Sequence, residues 1–451
     1  MLDRRQLLKT LGGGFGLAGM QGTLQAATRQ PHFAPKAKHV IFLFLNGGMS
    51  QVDTFDPKPA LVKHDGQPMP GPKIRTDRAS GTLMRSPWDF KRYGQSGIEV
   101  SDIFTHIAKR IDDFCVVRSM YTENGNHGPS LQVMNCGHQL PGRPSMGSWV
   151  TYGLGTENQN LPGFIVLCPG FPVLGSSLWS AGYMPSSYQG VHIHTSAVEP
   201  EKLIQNLRNA DLTLDEQKHQ LDLLGQLNRR YLDRVGDQPN LQSAVESMES
   251  AYRMQTEAGQ LFDIRKEPEK IRARYDISDF GRGCLMALRL VESGVRMVQI
   301  YYGNFQPWDS HDDIRVHAKL ARNVDSPIAA LVEDLKLRGL FEETLIIIGS
   351  EFGRTPMIQN SGLEKLGCGR DHNPPAFTVL LAGGGIKGGQ TYGATDDFGY
   401  QVMENKVHVH DLHATALHLL GFDHTRLTYR HAGRDFRLTD VHGQVIKPLL
   451  A

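Results

Sequence analysis

Six short apolar runs rich in β-branched residues set the tightest limit on what this chain can fold into. They are His39 to Leu45, Phe114 to Arg118, Phe164 to Leu167, Arg296 to Tyr302, Thr344 to Gly349 and Phe377 to Leu381. Each ends abruptly in glycine or polar residues, the pattern of a strand buried on both faces. Helical periodicity fills most of the intervals, as at Ile103 to Ile111, Ala329 to Gly339 and His410 to Leu420. An α/β fold with a mainly parallel sheet flanked by helices is the economical solution. One stretch breaks the rhythm. Residues 199–292 are rich in Leu, Glu, Gln, Arg and Lys, hold few aromatic residues and offer no convincing strand. A mostly helical insertion is expected there, packed against the sheet by default, with capping a site or forming a partner surface as the alternatives.

Residues 1–30 read as a targeting segment rather than as fold. Arg4 and Arg5 precede an apolar run, Thr10 to Ala27, with small residues near Ala26, which is a twin-arginine signal peptide. Gly12, Gly13, Gly14 and Gly16 suit a first helix of a folded domain badly, since glycine costs about 1 kcal/mol per helix position. The run is too short and glycine-rich to span a bilayer stably, and no later run approaches the roughly 20 apolar residues required. The sequence therefore predicts handling by the twin-arginine export machinery, a periplasmic or otherwise exported location, and no stable membrane span after cleavage. Residues 38–451 are left to form the α/β domain.

Charge and cysteine content exclude other classes. Lys and Arg total 48 against 47 Asp and Glu, with no long basic stripe, so nothing marks a nucleic-acid footprint. Cys115, Cys136, Cys168, Cys284 and Cys368 are an odd set without CxxC spacing. That argues against a disulfide framework and against a thiolate metal cage, while a single bridge stays open.

Ligands of open parallel sheets bind beyond the carboxyl ends of the strands, so the residues flanking the runs carry the functional reading. The first run is followed by Asn46, Gly47, Gly48 and Ser50, the second by Asn126, His127, Gly128, Pro129 and Ser130. Trp308, Asp309, Ser310 and His311 follow the fourth, and Ser350, Glu351, Phe352, Gly353 and Arg354 the fifth. Gly369, Arg370, Asp371 and His372 stand immediately before the sixth. A ring of oxygens and imidazoles suits a borderline divalent cation such as zinc, and a His and a carboxylate two residues apart can chelate one ion from a loop. Two other features have plainer readings. Gly383 to Gly389 lacks the Lys-Ser/Thr pair of a phosphate loop and reads as a tight turn. His408, His410 and His413 read as capping and packing the last helix.

The motifs Asn46-Gly47-Gly48 with Asp53-Thr54-Phe55-Asp56-Pro57-Lys58, Trp308-Asp309-Ser310-His311, Glu351-Phe352-Gly353-Arg354-Thr355 and Gly369-Arg370-Asp371-His372 resemble those of domain of unknown function 1501. That family is sulfatase-like and generally placed in the alkaline phosphatase superfamily. The resemblance runs from about His39 to the C-terminus and implies an alkaline phosphatase/sulfatase-like sheet. By comparison with sulfatases, His127 falls at the nucleophile position, Leu131 replaces an arginine, and the residue that becomes formylglycine is absent. Asp309, His311 and His372 correspond to one metal set of the superfamily. Asn46 and Phe352 stand where the second set would be, so that site looks eroded.

These comparisons imply one divalent ion, zinc before others, held by Asp309, His311 and His372. His127 is then nucleophile or general base, and Glu351 a base or further ligand. Arg354 and Arg370 are expected to pair with an anionic substrate group, and Asn46, Ser50 and Ser130 to contact the substrate. Two functions stay open: a hydrolase of phosphate or sulfate esters, small or within a polysaccharide, and a non-catalytic relative that binds a glycan or a partner protein.

Overall fold

The computed structural model describes residues 30–451 apart from 72–75, 77, 277, 360–367 and a discontinuous part of 198–260. All but the last residue of the expected signal segment lies outside the described residues. The six apolar runs all become strands: β1 His39–Phe44, β2 Phe114–Tyr121, β3 Phe164–Cys168, β5 Met297–Tyr301, β6 Thr344–Gly349 and β7 Phe377–Ala382. Three short strands complete the nine-stranded sheet: β4 Val191–His194, β8 Gln390–Tyr392 and β9 Val407–His408. Their order is β8-β2-β7-β6-β1-β5-β3-β4, with β9 also paired to β2. Every pairing is parallel except those of β7, which runs antiparallel to both β2 and β6.

Every residue of β1, β3, β5, β6 and β7 is buried, and strand periodicity deals the side chains to two cores. Ile41, Leu43, Ile165, Leu167, Val298, Ile300, Ile346 and Ile348 pack on one face under α4 Asp279–Glu292 and α5 Val316–Leu337. Val40, Phe42, Phe44, Phe164, Val166, Leu345 and Ile347 pack on the other. There they meet α1 His127–Cys136, α2 Met146–Leu154 and α6 Val409–Leu419. Fully burying each such side chain is worth roughly 1.5–3 kcal/mol, so two covered faces are what hold the sheet. Within 199–292 the described residues form no strand. The long helix there, α3 Leu214–Val235, opens on a capping box of Thr213 and Glu216, ends at Gly236 and buries none of its residues.

The three C-terminal histidines do more than cap their own helix. His408 is the N-cap of α6, with Asp411 closing a capping box. His410 Nε2 and His413 Nε2 lie 2.9 Å from the carbonyls of Gly137 and Met134 at the C-terminal end of α1. Those carbonyls are among the ones a helix leaves without partners, and α1 carries His127 at its other end. The His413 ring is fully enclosed, and burial, reinforced by His410, pushes its pKa down to about 3. In the unfolded chain it titrates near its ordinary value of about 6.5. A depressed folded value means stability that is complete above that pH and is lost as pH falls toward 3. Between pH 7 and pH 4, the unfolding free energy measured with denaturant should fall by on the order of 3 kcal/mol more in the natural protein than in His413→Gln, which keeps a donor for Met134 but cannot charge. Equal losses in the two proteins would show that His413 does not titrate this way.

Candidate metal centre

The reversal of β7 assembles the site. The loops after β1, β2, β5 and β6 all leave the sheet at its carboxyl edge, and because β7 runs the other way its N-terminal end lies at that same edge. His372, five residues before β7, is thereby delivered beside Asp309, His311, His127 and Glu351. Two glycines allow the close approach. A Cβ on Gly47, at φ +124°, would stand 2.5 Å from the Asp309 backbone nitrogen, and one on Gly369 would stand 1.8 Å from the His311 carbonyl oxygen.

His127, Asp309, His311 and His372 each offer a ligand atom, and these atoms lie within 4.8 Å of one another. Among the described residues no other group of His, Cys, Asp or Glu is so placed. The four divide by oxygen. His311 Nε2 is 2.9 Å and His372 Nε2 3.2 Å from Asp309 Oδ1, whereas His127 Nε2 faces Oδ2 at 3.4 Å. Each imidazole has its other nitrogen held from behind. His127 Nδ1 is 2.7 Å from Glu351 Oε1, His372 Nδ1 is 2.6 Å from the Gly125 carbonyl, and His311 Nδ1 meets Gln359 Oε1. All three acceptors select the tautomer with hydrogen on Nδ1, which leaves the Nε2 lone pairs facing inward.

The fit of this set to a cation can be judged from its polar atoms. His127 Nε2 and His311 Nε2 are buried and meet no partner at hydrogen-bonding geometry, a costly condition for polar atoms unless a ligand takes their lone pairs. Imidazole nitrogen with carboxylate oxygen is the donor mixture that zinc and similar divalent ions accept. The residues present therefore fit a divalent metal.

Charge is arranged to keep the donors available. Burial works to raise the Asp309 carboxyl, but His127, His311, His372 and Arg354 together hold it well below the usual carboxylate range. Burial likewise opposes ionisation of Glu351, and His127 overrides it, so this pKa is lowered too. His127 itself is raised, because the contacts and charges of Asp309 and Glu351 outweigh burial. His372 is lowered by burial, and the neighbouring charges of Arg354 and His127 act in the same direction.

Several residues expected at the substrate are instead built into the walls. Arg354 is fully buried and its fork is spent: Nε donates to Gly48 O at 2.9 Å, Nη1 to Arg370 O at 3.1 Å, and Nη2 to Asp309 Oδ1 at 2.6 Å and to Gly47 O. Arg370, also fully buried, grips Asp53 bidentately at 2.7 and 3.1 Å and donates to Thr355 O and Met84 O. Neither guanidinium has a free edge for a substrate anion. Asn46 is fully buried and ties down the carbonyls of Gly303 and Phe305. Ser50 donates to Asp53, and Ser130 to the Asn124 carbonyl, both from buried positions. All three spend hydrogen bonds on holding neighbouring loop residues. Glu351 is fully enclosed, accepts from Gly47 N at 3.0 Å and from Ser350 Oγ at 2.9 Å, and orients His127 instead of facing a ligand.

Sequence reasoning missed Gln359 and Phe352 as working parts. Gln359 lies in an unmarked segment paired with Ser80–Leu83. Phe352, recognised only as a residue unable to ligate, packs its ring 4.8 Å from His127 and 4.5 Å from His372 and fills the space behind both.

The fold and centre define an α/β protein whose mainly parallel sheet gathers three histidines and an aspartate at its carboxyl edge. The chain matches the family model described as protein of unknown function, DUF1501, over residues 37–450. It belongs to that family, as its strand-end motifs led one to expect. No curated protein matches it. Among solved structures it is similar to the PsFucS1 sulfatase from Pseudoalteromonas sp., with 13% identity over 94% of this chain and 72% of that one at a TM-score of 0.32. It is similar also to the phosphonate monoester hydrolase SpPMH from Silicibacter pomeroyi, with 10% identity, 92% and 76% coverage and a TM-score of 0.35. For the alkaline phosphatase from the Antarctic bacterium TAB5 the figures are 10%, 80% and 95%, and 0.33. At such TM-scores the functional reading rests on this chain's own residues.

If Glu351 acts by orienting His127, its effect reaches the centre only through that ring. The Glu351 charge is one of the two that raise the His127 pKa. In NMR titration of the metal-free protein, the His127 ring of Glu351→Gln should therefore lose its proton at a lower pH than in the natural protein, and an unmoved titration would show that Glu351 does not act on it.

Proposed function

We propose that this protein is a metal-dependent hydrolase of phosphate or sulfate esters that works with one divalent ion, zinc before others. The observation that carries this reading is the division at Asp309: His311 and His372 converge on one oxygen, while His127, backed by Glu351, faces the other. Asp309, His311 and His372 would hold the ion, and three protein ligands are what catalytic zinc sites use. A bound ion would polarise the ester oxygen and lower the pKa of a water.

The chain's own contribution centres on His127, the first residue of α1. Glu351 keeps hydrogen on its Nδ1, so Nε2 is the basic atom. In hydrolysis Nε2 would take the proton of the attacking water as the water oxygen bonds to phosphorus or sulfur. It would return that proton to the departing alcohol oxygen as the ester bond breaks, leaving His127 as it began. A raised pKa favours the second half of this exchange, since imidazole is then protonated over more of the neutral range. Of the roles open from sequence, general acid and base is thus preferred over nucleophile. Phe352 and the buried arginines hold the ring of loops and touch no substrate.

The number of ligands supports one alternative. If His127 also ligates, four protein donors close a tetrahedral site in the manner of structural zinc, and the protein is a non-catalytic relative that binds a glycan or partner. Export by the twin-arginine route, which handles folded cargo, belongs to the same proposal and rests on Arg4 and Arg5 with the apolar run behind them.

The readings part on two variants. Protein purified without chelator should carry one divalent ion per chain and hydrolyse aryl phosphate or aryl sulfate esters. His372→Ala should lose both ion and activity, whereas His127→Ala should keep the ion and lose at least about 100-fold in kcat, the span typical of acid–base groups. If His127→Ala loses the ion as readily as His372→Ala and no ester is turned over, the closed-site alternative replaces the hydrolase.

A further inference from the structure

Next to the centre, two aromatic side chains stand in solvent on adjoining loops. Phe305, in the loop after β5, is 70% exposed, and Phe171, in the loop after β3, is 51% exposed. The loops are stitched together: Phe305 N donates to Phe171 O at 2.9 Å, Phe171 N to Asn304 Oδ1 at 2.7 Å, and Pro172 forms a bridge with Phe305. Phe171 is backed by His192 at 4.8 Å and lies parallel to the buried Trp179. The Phe171 ring is thus held by its neighbours, and the Phe305 backbone is tied to the adjoining loop.

Phe305 is also strained. Its φ of +52° is a left-handed conformation that is unfavourable for a bulky residue and persists only where surrounding contacts impose it. The Asn46 amide holds this turn of the loop by donating to the Gly303 and Phe305 carbonyls. Leu174, on the partner loop, is held at φ +72° and is 43% exposed. Strain spent on holding apolar side chains in water stabilises nothing in the isolated fold. Asp309 is four residues from Phe305, at most about 14 Å between Cα atoms for an extended chain, and less here because Asp309 N turns back onto Gln306 O at 3.0 Å.

We propose that Phe305 and Phe171 form a subsite for a pyranose ring of the ester substrate, so that the enzyme acts on sugar phosphates or sulfates. This rests on the ester-hydrolase reading above. A sugar ring presents a face of C–H bonds, which packs on an aromatic face, and an edge of hydroxyls, which needs hydrogen-bonding neighbours. Such a neighbour exists: Asn304, exposed beside Phe171, carries a side-chain amide that already binds the Phe171 backbone through Oδ1. A lipid chain would call for a longer apolar track, and a plain aryl group would have no use for that amide.

The test compares kcat/KM for glucose 6-phosphate and glucose 6-sulfate with that for ethyl phosphate and ethyl sulfate. Phe305→Ala should lower the glucose-to-ethyl ratio about tenfold, and Phe305→Trp, which keeps a flat face, should restore it. An unchanged ratio overturns the proposal, as does a loss confined to 4-nitrophenyl esters, which would mark an aryl site. If no ester is hydrolysed by any form, the hydrolase reading has failed, and the subsite is then judged by calorimetry with dextran sulfate at high salt. Binding by the natural protein that Phe305→Ala weakens about tenfold supports it, and absent or unaltered binding overturns it.

Discussion

A single guanidinium holds the working edge of this protein together. Arg354 reaches from the loop after β6 to the carbonyls of Gly47, Gly48, Trp308 and Arg370 and to the carboxylate of Asp309. Loops after three parallel strands and before the reversed one thus share one planar cation. A buried arginine is tolerated only when its donors are met and its charge is opposed, and the same contacts that satisfy Arg354 bring Asp309 into place. Arg370 and Asp53 repeat the device one layer out. The histidines are consequently set in a frame whose rigidity comes from backbone carbonyls instead of from an ion.

The fold was largely legible because its main strands are buried on both faces. A run such as His39 to Phe44 has no polar side, and nothing but the interior of a sheet accommodates it. β4, β8 and β9 escaped notice because they lie toward the sheet's edges, are two to four residues long and carry exposed or polar positions, among them His192, His194, Gln390 and Thr391. The direction of β7 could not be read at all. Apolar periodicity says that Phe377–Ala382 is a strand but is the same for either orientation. Only the pairing with β2 and β6 shows why His372, which precedes its strand, meets residues that follow theirs.

The site was legible in its members but not in their division of labour. Asp309, His311, His372 and His127 stood out by residue type at strand ends, and they do meet. Arg354, Arg370, Asn46, Ser50 and Ser130 stood out for the same reason, yet they face inward and hold loops. A polar residue in a strand-end loop can serve either a ligand or the backbone, and which it serves depends on neighbours hundreds of residues away, as with Arg370 and Asp53. Gln359 shows the converse, a plain side chain made important by the ring that turns toward it.

The place of β7 in the strand order also governs when the protein can come into being. β2, with β8 and β9 on its outer side, touches the remaining strands through β7 alone. During synthesis, β1, β3, β5 and β6 can zip up while β2 waits for a partner made more than 250 residues later, the kind of long-range pairing that slows folding. α1 follows β2, so His127 waits as well, and His372 emerges only just ahead of β7. An unfinished chain can present Asp309 and His311 but not the whole ring. Occupancy of this centre would therefore act as a receipt for a completed sheet, distinguishing finished molecules from those still being made.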